Sequence, residues 1–203
     1  MQVYLETERL VLRRLTADDA LNLFELDSDP EVMRYLSGGA PTPRDLIERE
    51  ILPRFLASYQ RFPGYGTWAA AGKSSGDFLG WFGFRPSTED APGDVSLGYR
   101  LRRSAWGNGY ATEGSRALIR KGFTELGAER VYATTYEDNL ASRRVMEKLG
   151  MKLVRAYRPS LEDLQAESTF YISSGDPWDG NDVEYALLKA EWEQNERERS
   201  GVL

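Results

Sequence analysis

The 203-residue chain contains no cysteine and no histidine. Without cysteine there can be no disulfide, no thiolate metal site and no thiol nucleophile. Without histidine the commonest general base and metal ligand is missing, and every Ser-His-Asp mechanism goes with it. Catalysis must therefore use carboxylates, tyrosines, hydroxyls, backbone amides or ordered water, and no metal is expected. No run of 18 apolar residues occurs, so no membrane-spanning helix and no membrane partner are expected. The opening MQVYLETERLVLRR is charged and lacks the apolar centre of a signal peptide, which points to a cytoplasmic protein. The formal net charge of −6 argues against binding bulk nucleic acid.

What is present is enough for one packed domain over residues 1–203: 41% hydrophobic and 12% aromatic residues. Charge is unevenly spread. Between Leu97 and Lys148 there are 10 Lys+Arg and 6 Asp+Glu, a net of +4, which leaves the remainder at −10. A basic middle in an acidic protein suits a polyanionic cofactor used with a cationic co-substrate.

The elements read in order as follows. Leu10 to Leu15 is a short strand. Thr16 caps a helix with Asp18 and Asp19 in its first turn. Asp29-Pro30 starts a second helix that Gly38-Gly39 ends. Thr42-Pro43 opens a longer one, which Pro53 must kink or divide. Gly66 to Ala71 and Phe78 to Arg85 read as a hairpin, and Val95 to Leu101 adds a third strand. A helix, Thr112 to Leu126, follows the two-glycine loop. Then come a strand (Arg130 to Tyr136), a helix (Asn139 to Leu149, stopped by Gly150), a strand (Met151 to Ala156) and a strand (Val183 to Leu188). Residues 158–181 are a polar, acidic loop insertion with one candidate strand at Thr169 to Ile172. They are the candidate for acceptor contact or for homodimer formation. The tail, 189–203, carries a charged helix that docks through Trp192. The pattern is α+β with a predominantly antiparallel sheet.

The informative stretch is LGYRLRRSAWGNGYATEGSRALIRKGF, Leu97 to Phe123. A strand feeding a glycine turn that opens a helix leaves backbone N–H groups bare at the helix N-terminus, a geometry that holds pyrophosphate. Taken alone it is equally a tight turn with no ligand. It also matches the first two glycines of a dinucleotide loop, but Thr112 stands where the third belongs, and a meander precedes it rather than an opening βαβ unit.

WGNGYATEG (Trp106 to Gly114) and EDNLASRRVMEKLGM (Glu137 to Met151) together resemble the two signatures of the GNAT N-acetyltransferase superfamily, in that family's order and separation. WGxGYAxE with NxxSxxVxEKxGM, and the opening ETERLVLRRLTADDA, are most similar to its ribosomal-protein alanine acetyltransferase (RimJ/RimL-like) branch. The resemblance implies a mostly antiparallel central sheet, splayed at the cofactor site and flanked by helices on both faces. It implies acetyl-CoA as co-substrate and a primary amine as acceptor: a protein N-terminus, a lysine, a polyamine or a small-molecule amine.

It also implies residue roles. The amides of Gly107, Asn108, Gly109, Tyr110 and Ala111, with Trp106 and Thr112 at the ends of the loop, would hold the pyrophosphate. The backbone of Leu97, Gly98, Tyr99, Arg100 and Leu101 would pair with the pantetheine arm, and an N–H at Tyr99 or Leu101 would polarise the thioester carbonyl. Asn139 would bond the pantetheine and Arg143 would lie near the adenine or its phosphate, with Arg102 and Arg103 as looser phosphate candidates. In that branch the position of Ser142 lies near the cofactor sulfur and is a candidate proton donor, and the tyrosine that many other relatives carry four residues on is replaced by Met146. Relatives often place a glutamate base where Ser96 stands. Asp94, on the same strand face, is the substitute, with Glu184 and Glu113 as further candidates. The two replacements leave a non-catalytic acyl-CoA-binding sensor as the alternative to an enzyme.

Overall fold

The computed structural model describes residues 2–86, 91–158 and 180–201. Its centre is one eight-stranded sheet: β1 (Val3–Glu6), β2 (Leu10–Arg14), β3 (Gly66–Gly72), β4 (Phe78–Arg85), β5 (Asp94–Leu101), β6 (Arg130–Tyr136), β7 (Lys152–Tyr157) and β8 (Asp182–Leu188). The spatial order is β1-β2-β3-β4-β5-β6-β8-β7. Every neighbouring pair is antiparallel except β5 and β6. The α+β reading and the antiparallel meander before the glycine loop therefore stand. β1 was not anticipated: VYLE is too short to announce itself and forms a strand by pairing with β2.

Helices cover both faces. On one lie α1 (Ala20–Asp27), α2 (Pro30–Ser37), α3 (Arg44–Leu46) and α4 (Leu52–Arg61), whose Leu23, Leu26, Val32, Leu52 and Phe55, with Ile47 between α3 and α4, pack with Ala69 and Trp81. On the other lie α5 (Tyr110–Glu125), α6 (Leu140–Lys148) and α7 (Lys189–Arg199). There Leu118, Ile119, Phe123 and Met146 pack against Phe82, Phe84, Val95, Val131 and Tyr185. Trp192 of α7 does dock, with its ring 5.4 Å from that of Phe123.

Two glycines let α5 lie close to the sheet. A Cβ at Gly114 would sit 2.5 Å from the Phe82 ring, and one at Gly122 would sit 2.5 Å from the Phe84 ring. Pro53 does not divide the third helical stretch. Instead Ile47–Ile51 widens into one π-helical segment just before it. A proline lacks the N–H that an α-helix needs at that point, and looser winding upstream accommodates the loss without a break. Gly38 and Gly150 end their helices with φ of +66° and +84°, as the sequence suggests. The candidate strand at Thr169 to Ile172 and most of the 158–181 insertion lie outside the described residues. Among those described, no helix is long and apolar enough to cross a membrane.

Candidate active site

β5 and β6 run parallel and pair only from Asp94 to Ser96, against Arg130 to Tyr132. Past Ser96 they part, while β5 stays paired with β4 as far as Leu101. The β6-facing backbone edge of Leu97, Gly98, Tyr99, Arg100 and Leu101 is thus left without a strand partner, opening a cleft between the C-terminal ends of the two strands. The five residues expected to meet pantetheine are the five that line it.

At the mouth of the cleft the chain makes a short 3₁₀ turn, Arg103–Ala105, and the loop Trp106 to Gly109. The Trp106 indole N–H donates to the Leu101 carbonyl (2.8 Å), tying the loop back to the strand end. Gly107 and Gly109 adopt φ of +75° and +81°, which L side chains rarely take. Gly109 is the residue from which α5 starts, and no side chain caps that helix. The N–H groups of Gly107, Asn108 and Gly109 have no acceptor among the described residues, and Tyr110, Ala111 and Thr112 form the first turn, where helix N–H groups lack partners. Six consecutive amides beside the macrodipole's positive end are a fit for a diphosphate.

Across the cleft, α6 is capped by Asn139, whose side-chain oxygen accepts the Ser142 N–H (3.2 Å) and whose amide donates to Thr135 (3.0 Å). One amide hydrogen and one lone pair remain for a ligand. Arg143 is held by Tyr185 (3.2 Å) and by the Glu137 carbonyl (2.9 Å). Tyr99 reaches across from β5 to donate to the Ser142 hydroxyl (3.2 Å). Burial pushes the Tyr99 phenol up to about 12, so it stays protonated at neutral pH. Of the three residues expected in catalysis, Tyr99 and Ser142 therefore meet, Tyr99 through its hydroxyl and not through the backbone N–H expected of it.

Asp94 does not join them. It lies at the closed end of the splay, five residues before Tyr99 and so about 16 Å along an extended strand. Its carboxylate bonds Arg130 (2.7 Å), which also bonds Glu184, and Glu184 in turn pairs with Arg155 (2.8 Å). Ser96 pairs with Arg85 and Tyr132 in the adjoining strands. Arg102 and Arg103 point away from the loop, toward Glu25 (2.7 Å) and Asp29 (4.0 Å). Glu113 is taken up by Thr7 and Arg9.

The sheet face opposite α6 holds contacts that the sequence did not announce. Arg100 reaches Asp27 of α1 (2.5 Å), which also accepts from Thr42 (2.8 Å), so a buried charge pair anchors α1 to β5. Tyr35 of α2 donates to the Asp138 carbonyl (3.2 Å), joining that helical wall to the turn before α6. Asp182, 6% exposed, opens β8 between Tyr136 of β6 and Tyr157 of β7. It shares its face with Glu184, Arg130 and Arg155. It has no ion pair or side-chain hydrogen bond among the described residues, and burial pushes its carboxyl up to about 6. The one signal for Asp182 in the sequence is an acid at the head of the final strand, two residues before Glu184.

The model of the acetyltransferase (GNAT) domain matches residues 9–152, and so takes in the splayed strands, the amide loop and the α6 cap. The chain belongs to the GNAT acetyltransferase family. It is an N-acetyltransferase, and its likeness to named relatives extends over most of its length. The FsC-acetyl coenzyme A-N(2)-transacetylase of Aspergillus fumigatus is 32% identical over 94% of this chain and 78% of that one. The uncharacterised N-acetyltransferase YoaA of Bacillus subtilis is 29% identical over 91% of this chain and 96% of its own. Among solved structures, the acetyltransferase fold recurs in a probable acetyltransferase (TM-score 0.73, 24% identity, 92% of this chain and 96% of that one). It recurs again in RimL, a ribosomal alpha-N-protein acetyltransferase in complex with coenzyme A (TM-score 0.71, 18% identity, 92% and 98%).

Proposed function

We propose that the protein moves the acetyl group of acetyl-CoA to a primary amine by direct attack in a ternary complex. The observation that carries this reading is the juxtaposition of an unpartnered β5 edge with a row of acceptor-free loop amides. The first suits the pantetheine arm and the second the diphosphate, and they lie on adjacent elements. When bound, acetyl-CoA supplies the acetyl group as an activated thioester.

In this reading, Gly107 to Thr112 hold the diphosphate through backbone N–H groups, and Leu97 to Leu101 pair with the pantetheine. Asn139 bonds the pantetheine with its remaining amide hydrogen, and Arg143 stands on the adenine side. Tyr99 keeps its proton and donates to Ser142, which leaves the serine's own hydrogen to donate to the departing sulfur. A thiol with a pKa of about 8.5 needs only modest help to leave. The incoming ammonium loses its proton through solvent to Asp182. Asp94 and Glu184 are committed to arginines, whereas the Asp182 carboxyl has the proton affinity that a base near neutral pH requires.

Trp106, Ser142 and Met146 favour the RimJ/RimL-like branch. The names of the two relatives place their acceptors at the N(2) of FsC and at a protein's alpha nitrogen. An α-type amine, with a pKa of about 8, deprotonates more readily than a lysine at about 10.4. The test is titration with acetyl-CoA, then a thiol-release assay against a panel of N-terminal peptides, lysine peptides, polyamines and small amines. Acetyl-CoA-dependent thiol release with at least one amine, absent without it, is the expected result. Tight binding with no turnover on any amine would refute the enzymatic mechanism.

A further inference from the structure

The turn between β1 and β2 reaches across to the diphosphate loop. Arg9 donates from Nη1 to the Asn108 carbonyl (2.9 Å), from Nε to Glu113 Oε2 (2.7 Å) and from its backbone N–H to Glu113 Oε1 (2.9 Å). Nη2 lies 2.6 Å from Oε2, and Thr7 adds a 2.5 Å bond to Oε1. The guanidinium also sits 4.8 Å from the centre of the Tyr110 ring. Arg9 itself is anchored, because its carbonyl accepts from the Lys73 N–H (2.8 Å) and the Thr7 hydroxyl accepts from the Leu10 N–H (2.9 Å).

Two consequences follow from this arrangement. A trans peptide points its C=O and N–H in opposite directions. With the Asn108 carbonyl held by Arg9, the Gly109 N–H is turned to the far side, and there it has no acceptor among the described residues. Second, Glu113 stands in the first turn of α5, where its charge would repel a diphosphate. Burial alone would raise its carboxyl, but the bonds from Thr7 and from the Arg9 amide and side chain outweigh this and hold it below the ordinary carboxylate range. It is therefore ionised, and Arg9 is the cation that cancels it. Exposed ion pairs seldom contribute much energy. The importance of this one lies in its forked geometry.

We propose that Arg9 is a positioning residue for the acyl donor: it fixes the orientation of the 108–109 peptide and neutralises Glu113 so that the loop can accept a diphosphate. The inference rests on the donor-site reading above. The test compares CoA with pantetheine, which lacks the diphosphate and the nucleotide, by ligand-dependent thermal shift on the full chain. Arg9→Gln weakens CoA about tenfold, as expected for the loss of a charge-assisted bond, and leaves pantetheine within about twofold. Arg9→Lys falls between, because an ammonium keeps the charge and loses the fork. Adding Glu113→Gln to Arg9→Gln restores part of the CoA affinity by removing the uncompensated carboxylate. If Arg9→Gln fails to fold, Arg9→Lys carries the same comparison. Equal weakening of both ligands, or of neither, overturns the inference. A wild-type chain that binds no CoA instead overturns the donor-site reading itself.

Discussion

Replacing Asp182 by Asn should stabilise the protein, and only above mildly acidic pH. In the folded chain the carboxyl titrates at about 6, and in the unfolded chain at about 3.9. Below pH 4 both states hold the proton and the aspartate carries no penalty. Between about pH 4 and 6 the unfolded chain has released its proton and the folded chain has not, so stability falls as pH rises. Above pH 6 both are ionised and the penalty is complete. A difference of about 2 pKa units corresponds to about 3 kcal/mol. Asparagine has nearly the same shape and no charge to desolvate, so it removes that penalty. Urea unfolding of both proteins between pH 4 and 8 measures it. The variant's advantage should be near zero at pH 4 and reach about 2–3 kcal/mol at pH 7.5. Glu113 and Glu191, whose carboxyls are held low, impose the opposite slope at acid pH, but they do so equally in both proteins and cancel in the difference. A pH-independent difference, or an asparagine variant less stable at pH 7.5, would show that Asp182 is not the strained carboxylate described. With an accepting amine in hand, the wild-type kcat/KM should also lose activity as pH falls through about 6, and the variant should lack that limb.

Three further outcomes are expected. Gly109→Ala, at a φ of +81°, should weaken CoA binding about tenfold by calorimetric titration, the equivalent of about 1–2 kcal/mol of left-handed strain. Gly114→Ala drives a methyl to 2.5 Å from the fully buried Phe82 ring. It should cost about 1–3 kcal/mol in urea unfolding, and an unchanged midpoint would mean that α5 can shift. Ser142→Ala should lower kcat about tenfold with the KM for acetyl-CoA nearly unchanged, and Tyr99→Phe should do the same to a smaller degree. A rise in KM alone would place both in binding rather than in proton donation.

What was legible in the sequence had local causes. Gly107 and Gly109 signal left-handed turns, Asn139 signals a cap, and Arg130 to Tyr136 signals a strand. Each follows from nearest neighbours along the chain. The bond between Tyr99 and Ser142 has no signal in the sequence, since it joins a strand to a helix 43 positions away. Asp94 appeared suited to catalysis because strand parity put it on the right face. Parity does not show how far along the strand the cleft opens, nor that Arg130 waits opposite. Arg9 was overlooked for the same reason: its partners lie about a hundred positions off, and the strand that turns it toward them is the one whose sequence is least strand-like. Pro53 was read by its usual effect, but the chain upstream absorbed the disturbance over five residues.

The early parting of β5 from β6 has a consequence for how such a protein can diversify. The cleft proposed for the acyl donor is lined by peptide groups, which every residue but proline supplies alike. Leu97 to Leu101 therefore need not keep their side chains to keep their cofactor. Those side chains leave on the two faces of the sheet, Tyr99 toward Ser142 and Arg100 toward Asp27. On the proposed reading, the backbone of this one strand meets the cofactor while its alternate side chains meet α6 on one face and α1 on the other. Changes of side chain on the α1–α4 face would then leave that backbone groove as it is.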